Sequence, residues 1–319
     1  MSISFARREF LSGMAALTAV TATSRFASAA DSSPFRISVI NDEISQDFSR
    51  VCEVAANDFG LHWIELRGMW KKNIVNLDEK EIGEAKQILD KFHLKVTDIA
   101  SPLFKTDWPG APKSKYSEDG SFGANFTFQQ QDEVLDRAIA MAKAFRTDRV
   151  RCFDFWRLED QTPHRAAMNN KLREAAEKLA RQKMILVLEN EPSCNTATGA
   201  EAAKVLAAVQ TKSFMLNWDP GNAAASGETP FPNGYNLLPK DRIGHCHCKD
   251  VIKKDNKYDW APMGGGIIDW AGQFKALKRD GYHFAVSLET HWRGGGSAEE
   301  STRKSWAGMK KLLQEADAI

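Results

Sequence analysis

The chain has 319 residues, 43% hydrophobic and 27% charged, with a formal net charge of +1. That composition is ordinary for a globular protein, and the near-neutral balance provides no electrostatic pull towards nucleic acid or an anionic membrane. The five cysteines, Cys52, Cys152, Cys194, Cys246 and Cys248, are odd in number and scattered, so they do not make a disulfide framework.

The first thirty residues stand apart. Arg7 and Arg8 precede a mildly apolar, Ala/Thr-rich stretch, and Ala27, Ser28 and Ala29 offer a small-residue cleavage site. The stretch is too short to span a membrane. Its RREFL string resembles a twin-arginine export signal. The expectation is a signal peptide over 1–30, no stable membrane anchor after cleavage, and a periplasmic mature chain, 31–319.

Strand-like and helix-like segments then alternate. FRISVI (35–40) is a short β-rich run, and a helical stretch follows that ends on Gly60. HWIEL (62–66) is the second strand, followed by a helix over 77–93. KVTDIA (95–100) is the third. A long polar segment, 101–128, carries Trp108, Phe122, Phe126 and Phe128; those rings could pack the loop down or stack on a sugar. A helix over 130–145 leads to the fourth strand, DRVRCFDF (148–155), and a helix over 164–183 follows. MILVLEN (184–190) is a continuous apolar run, as in a strand buried on both faces. A helix over 198–210, SFMLNWD (213–219), RIGHCHCKD (242–250), a helix over 269–281, HFAVSLET (283–290) and a helix over 298–316 complete the chain. Eight such βα units imply a parallel sheet with right-handed crossovers. The length suits a single-domain (β/α)8 TIM barrel, with an open doubly wound sheet as the alternative.

Active sites of such barrels lie at the C-terminal ends of the strands. Acidic residues stand there repeatedly: Asp42 and Glu43, Glu65, Asp154, Glu189, Asp219, Asp250 and Glu289. Burying a lone carboxylate is costly, so these groups must find counter-ions or a metal. Glu189, Asp219, His247 and Glu289 come from four consecutive strands and form the most economical metal-ligand set. Three carboxylates and one imidazole suit one divalent ion, Mn2+, Mg2+, Co2+ or Zn2+. Strand alternation puts His245, His247 and Lys249 on one face and Cys246 and Cys248 on the other. If the histidines face the axis, the cysteines become small fillers against the helices. Glu65, Asn222, Lys249 and His291 are candidate substrate contacts. The GGG runs at 264–266 and 294–296 read as tight turns.

LVLENEP, NWDPGNA, HCHCKD, MGGGIIDW and SLET each look like segments of the xylose-isomerase-like barrel superfamily, the sugar phosphate isomerases and epimerases. The likeness covers nearly the whole mature chain, in the family's order. It implies one divalent metal held by Glu189, Asp219, His247 and Glu289, with Glu189 and Glu289 as the proton-transfer pair. Two positions depart from relatives. Asn222 replaces a common histidine. Trp260 stands where the DNA-repair branch would have one of its extra metal ligands, which disfavours repair chemistry. The implied activity is proton abstraction beside a carbonyl through a metal-stabilised enediolate, as in a sugar isomerase or epimerase. A metal-dependent lyase or hydrolase on keto-sugars or oxidised glycosides, and a non-catalytic sugar-binding barrel, are the rivals. The expected partner is a small sugar or keto-sugar; a homo-oligomer is compatible with the sequence.

Overall fold

The computed structural model describes residues 33–117, 125–255 and 257–319. The expected signal peptide and Phe122 fall outside these residues. Short apolar runs form the eight parallel strands: β1 Arg36–Val39, β2 Trp63–Leu66, β3 Lys95–Leu103, β4 Arg149–Cys152, β5 Ile185–Glu189, β6 Phe214–Trp218, β7 Ile243–Cys248 and β8 Ala285–Leu288. They pair in the order β1-β8-β7-β6-β5-β4-β3-β2. A parallel bridge between Ile40 and Glu65 brings the two end strands together, so the sheet curls into a nearly closed barrel. The architecture is that of a TIM barrel in one domain.

One principal helix follows each strand: α1 Phe48–Glu53, α2 Glu79–Lys91, α3 Gln131–Ala144, α4 Arg165–Ala180, α5 Gly199–Ala208, α6 Pro220–Ala225, α7 Trp270–Arg279 and α8 Ala298–Glu315. Their starts are chemically marked. Asp78 and Thr198 form capping boxes with Glu81 and Glu201, which satisfies backbone donors that a helix start leaves open. The helices bury Leu89, Val134, Leu172, Val205, Phe274 and Met309 against the outward faces of the strands. Cys246 and Cys248 join that outer core, as the alternation along β7 predicts.

The inside of the barrel is polar in its upper part. At the bottom, Gly244 faces Met215 and Val187, and an added Cβ would lie 2.9 and 3.1 Å from their side chains. Arg149 donates from Nε to the Gly244 carbonyl at 3.0 Å. Above this plug, Glu65, Arg151, Asn217 and His245 are all 5% exposed or less, and the mouth residues sit on top of them.

Three local features differ from the sequence expectation. The third strand runs on to Leu103. The fourth stops at Cys152, and Phe155 takes φ of 54°, a left-handed conformation that no strand accommodates. Beyond β7 the chain continues into an antiparallel hairpin, Asp250–Lys254 with Lys257–Ala261, which carries Trp260 back over the barrel mouth.

Candidate metal centre

Glu189 ends β5, Asp219 follows β6, His247 lies in β7 and Glu289 follows β8. One ligand atom from each lies within 4.8 Å of the others, and all four residues are buried. The arrangement has a simple logic. Each carboxylate has one oxygen held from behind. Arg151 Nη1 donates to Glu189 Oε2 at 3.0 Å, the Asn222 N–H to Asp219 Oδ1 at 2.8 Å, and Arg67 Nη1 to Glu289 Oε1 at 2.8 Å. The other oxygens, Glu189 Oε1, Asp219 Oδ2 and Glu289 Oε2, stand 3.5, 3.7 and 3.2 Å from His247 Nδ1.

The imidazole is oriented from below. His247 Nε2 lies 2.9 Å from Glu65 Oε1, and His245 Nε2 lies 2.9 Å from Glu65 Oε2. An ionised carboxylate only accepts hydrogen bonds. Burial pushes Glu65 up, but His247 and His245 outweigh it and hold the carboxyl well below the usual range. Nε2 of His247 therefore carries a hydrogen, and Nδ1 is turned towards the three carboxylates. Such carboxylate–histidine pairs fix the ligand's orientation and raise its basicity.

Two buried atoms aimed at the shared point, His247 Nδ1 and Asp219 Oδ2, lack a hydrogen bond of good geometry. Buried polar atoms are normally satisfied. Burial pushes Glu189 up, yet Arg151 and then His247 bring it down to about 2. Burial likewise raises Glu289, while Lys249 and His247 take it well below the usual range. Burial lowers His247, but Glu65, Glu189 and Glu289 raise it well above its ordinary value. The carboxylates that retain a proton on Nδ1 would retain a dication instead, since metal binding to an imidazole releases that proton. The donor set fits a hard divalent ion.

Two other groups have ligand-like spacing among the described residues: Glu65 with both histidines, and Glu43, Glu289 and His291. In the first, both Glu65 oxygens are already taken up by the two imidazole Nε2 atoms. In the second, Arg67 and Arg293 already pair with Glu43, at 2.7 and 2.6 Å.

The residues expected at the substrate are distributed unevenly. Glu65 is fully buried, with both oxygens on histidines. Asn222, 2% exposed, donates from Nδ2 to Glu189 Oε1 at 3.1 Å and to the Asn190 carbonyl at 2.9 Å. Lys249 Nζ stands 2.7 Å from Asp219 Oδ2 and pairs with Glu289 Oε2. Only His291 opens to solvent, its side chain 30% exposed; Nε2 lies 3.2 Å from Glu289 Oε1 and the ring meets Trp260 edge-on. Trp108 and Phe128 pack on Phe155, which ties the two described ends of the long segment to the barrel. Asp154 is buried and pairs with the half-buried Arg165, at 2.7 and 2.9 Å. Asp250 accepts from the backbones of Val251, Gly264, Gly266 and Ile268 and so clasps the glycine-rich loop.

The sequence reading missed Arg67 and Arg151 as partners of the candidate ligand carboxylates. The alternation Arg149-Val150-Arg151-Cys152 was the available signal, because it sends both arginines to one face of a buried strand.

Residues 54–312 match the profile of the xylose isomerase-like TIM barrel family. The chain belongs to that family. A 3-dehydroshikimate dehydratase from Bacillus anthracis is 24% identical over 261 residues, 75% of this chain and 83% of that protein. The crystal structure of a probable 3-DHS dehydratase from the same species, involved in petrobactin synthesis, superposes with a TM-score of 0.65 at 21% identity, covering 87% of this chain and 98% of that one. A xylose isomerase-like TIM barrel protein from Mycobacterium smegmatis, solved with magnesium, gives 0.65 at 15% identity over 90% and 97% of the two chains. D-allulose 3-epimerase from a Methylomonas species, solved with D-allulose, gives 0.62 at 15% identity over 89% and 98%.

Proposed function

We propose that this barrel is a divalent-metal-dependent enzyme that moves a proton at the carbon beside a carbonyl of a sugar or keto-sugar, as an isomerase or epimerase does. The observation that carries the reading is the convergence of Glu189, Asp219, His247 and Glu289, each with one atom aimed at a common point. A divalent ion bound there supplies Lewis acidity to a substrate carbonyl and its neighbouring hydroxyl.

The protein's own groups do the rest. Glu189, held ionised by Arg151 and His247, and Glu289, held ionised by Lys249 and His247, each offer a carboxylate that can accept a proton. They rise from strands β5 and β8, on two sides of the common point. One takes the proton from carbon; that same carboxylic acid returns it to the adjacent carbon, or the other glutamate, once it has taken up a proton from solvent, delivers one to the opposite face. Glu65 acts on His247 rather than on the substrate. His291 and Trp260, at the mouth, meet the substrate's far end. A periplasmic setting, following export, belongs to the same reading.

The dehydratase relative favours a second outcome of the same first step. If a hydroxyl stands β to the carbonyl, the proton removed is followed by departure of that hydroxyl as water. Incubation with Mn2+ and a panel of ketoses and 3-hydroxy-keto acids in D2O tests both. Deuterium at the carbon next to the carbonyl, abolished in Glu289→Gln, is expected; release of water with it marks the lyase. A metal-loaded protein that exchanges no carbon-bound hydrogen in any of these compounds refutes the proposal.

A further inference from the structure

We infer that Lys249 is a built-in counter-ion of the ligand set: its ammonium occupies the cluster when no metal is bound and leaves when a dication enters. The inference rests on the metal-centre reading above and adds to it a determinant of how tightly the centre binds.

The position of the side chain carries the argument. Lys249 is 2% exposed, with Nζ 2.7 Å from Asp219 Oδ2 and paired with Glu289 Oε2. Those are two of the three carboxylate oxygens that face His247 Nδ1. A cation bound by those oxygens and the ammonium claim the same lone pairs. The ammonium is not ideally seated, because Asp219 Oδ2 still lacks a well-directed hydrogen bond. The ion pair is therefore a replaceable partner rather than a locked one.

The surroundings are built for this side chain. A Cβ on Gly221 would lie 2.4 Å from Lys249 Cγ, so the glycine of NWDPGNA leaves room for the lysine stem. Trp270 Nε1 donates to the Lys249 carbonyl at 3.2 Å and pins the backbone. The head is less constrained. Nζ lies 5.3 Å from the centre of the Trp260 ring, which in turn meets His291 at the mouth. An aromatic face stabilises a displaced ammonium. Expelled from the carboxylates, the lysine comes to rest beside Trp260, where an anionic or oxygen-rich substrate group enters. The chain thus carries its own monovalent cation on a tether. It stabilises three clustered carboxylates before metal arrives and weakens metal binding by the same interaction, since anything favouring the metal-free form opposes loading.

Visible-absorption titration with Co2+ alone tests this on the full-length protein, Lys249→Met, Lys249→Gln and the exposed control Lys254→Met. Both Lys249 variants are expected to bind Co2+ at least tenfold more tightly than the wild type and the control. Thermal melts give a second readout: the variants should melt lower than the wild type without metal and gain more from added Co2+. Equal or weaker Co2+ binding in folded Lys249 variants overturns the counter-ion role and leaves the metal centre standing. Failure of every protein, wild type included, to bind Co2+ overturns the metal centre and this inference with it.

Discussion

Glu65→Gln separates orientation of the metal ligand from ligation itself. The side chain keeps its volume, but the carboxylate's two acceptors become one acceptor and one donor. In the wild type each Glu65 oxygen serves one histidine, at 2.9 Å. Glutamine can accept from only one of them. The other imidazole must take the amide N–H on Nε2 and move its own proton to Nδ1. If that ring is His247, its proton faces Glu189, Asp219 and Glu289 in place of a lone pair. Loss of such an orienting partner typically costs 10- to 100-fold in metal affinity, or ~1.4–2.7 kcal/mol. Isothermal titration with Mn2+ is the assay. A dissociation constant within threefold of the wild type would show that Glu65 does not set the tautomer of His247 and would refute the argument.

Two further outcomes concern stability. Asp98 is fully buried, and burial followed by the Glu65 charge lifts its carboxyl to about 6 from an ordinary 3.8. The fold thus prefers the protonated acid, so this contribution is fully present below the ordinary value and is lost as pH rises through about 6. The stability difference between Asp98→Asn and wild type should grow in the variant's favour by ~2 kcal/mol from pH 4 to pH 8; a pH-independent difference in urea unfolding would contradict this. Gly266→Ala places a Cβ 2.1 Å from Asp250 Oδ1 and 2.3 Å from the Val251 carbonyl. Breaking the Asp250 clasp in this way should cost ~1–3 kcal/mol, read as a lower melting temperature; an unchanged melt would show that the loop yields.

The barrel and the convergence of its strand-end acids were legible because strand side chains alternate and neighbouring strands place their ends together. Glu189, Asp219, His247 and Glu289 could be read as a set from those rules alone. The partners of the set could not. Arg67 reaches Glu289 across 222 positions of sequence, a pairing that depends on how the barrel closes, and Arg151 reaches Glu189 across 38, from the neighbouring strand. Glu65 looked like a mouth residue because it precedes the end of a strand, yet β2 meets β1 through Ile40 and Glu65, which sets its carboxylate beneath His247. Asp250 resembled one more strand-end acid. Three of its four backbone donors, those of Gly264, Gly266 and Ile268, come from a loop whose path is fixed only once the unexpected hairpin has formed.

The five thiols share one consequence. All are buried at 0% exposure and remain unpaired, spread over α1, β4, β7 and the loop after β5. Burial raises Cys52, Cys152, Cys194 and Cys248 far above the ordinary thiol range, and a protonated, inaccessible thiol is a poor nucleophile. The folded chain is therefore inert to thiol reagents, and each cysteine becomes reactive only as its own layer opens. The rate at which a label appears at each position reports the order in which the barrel comes apart.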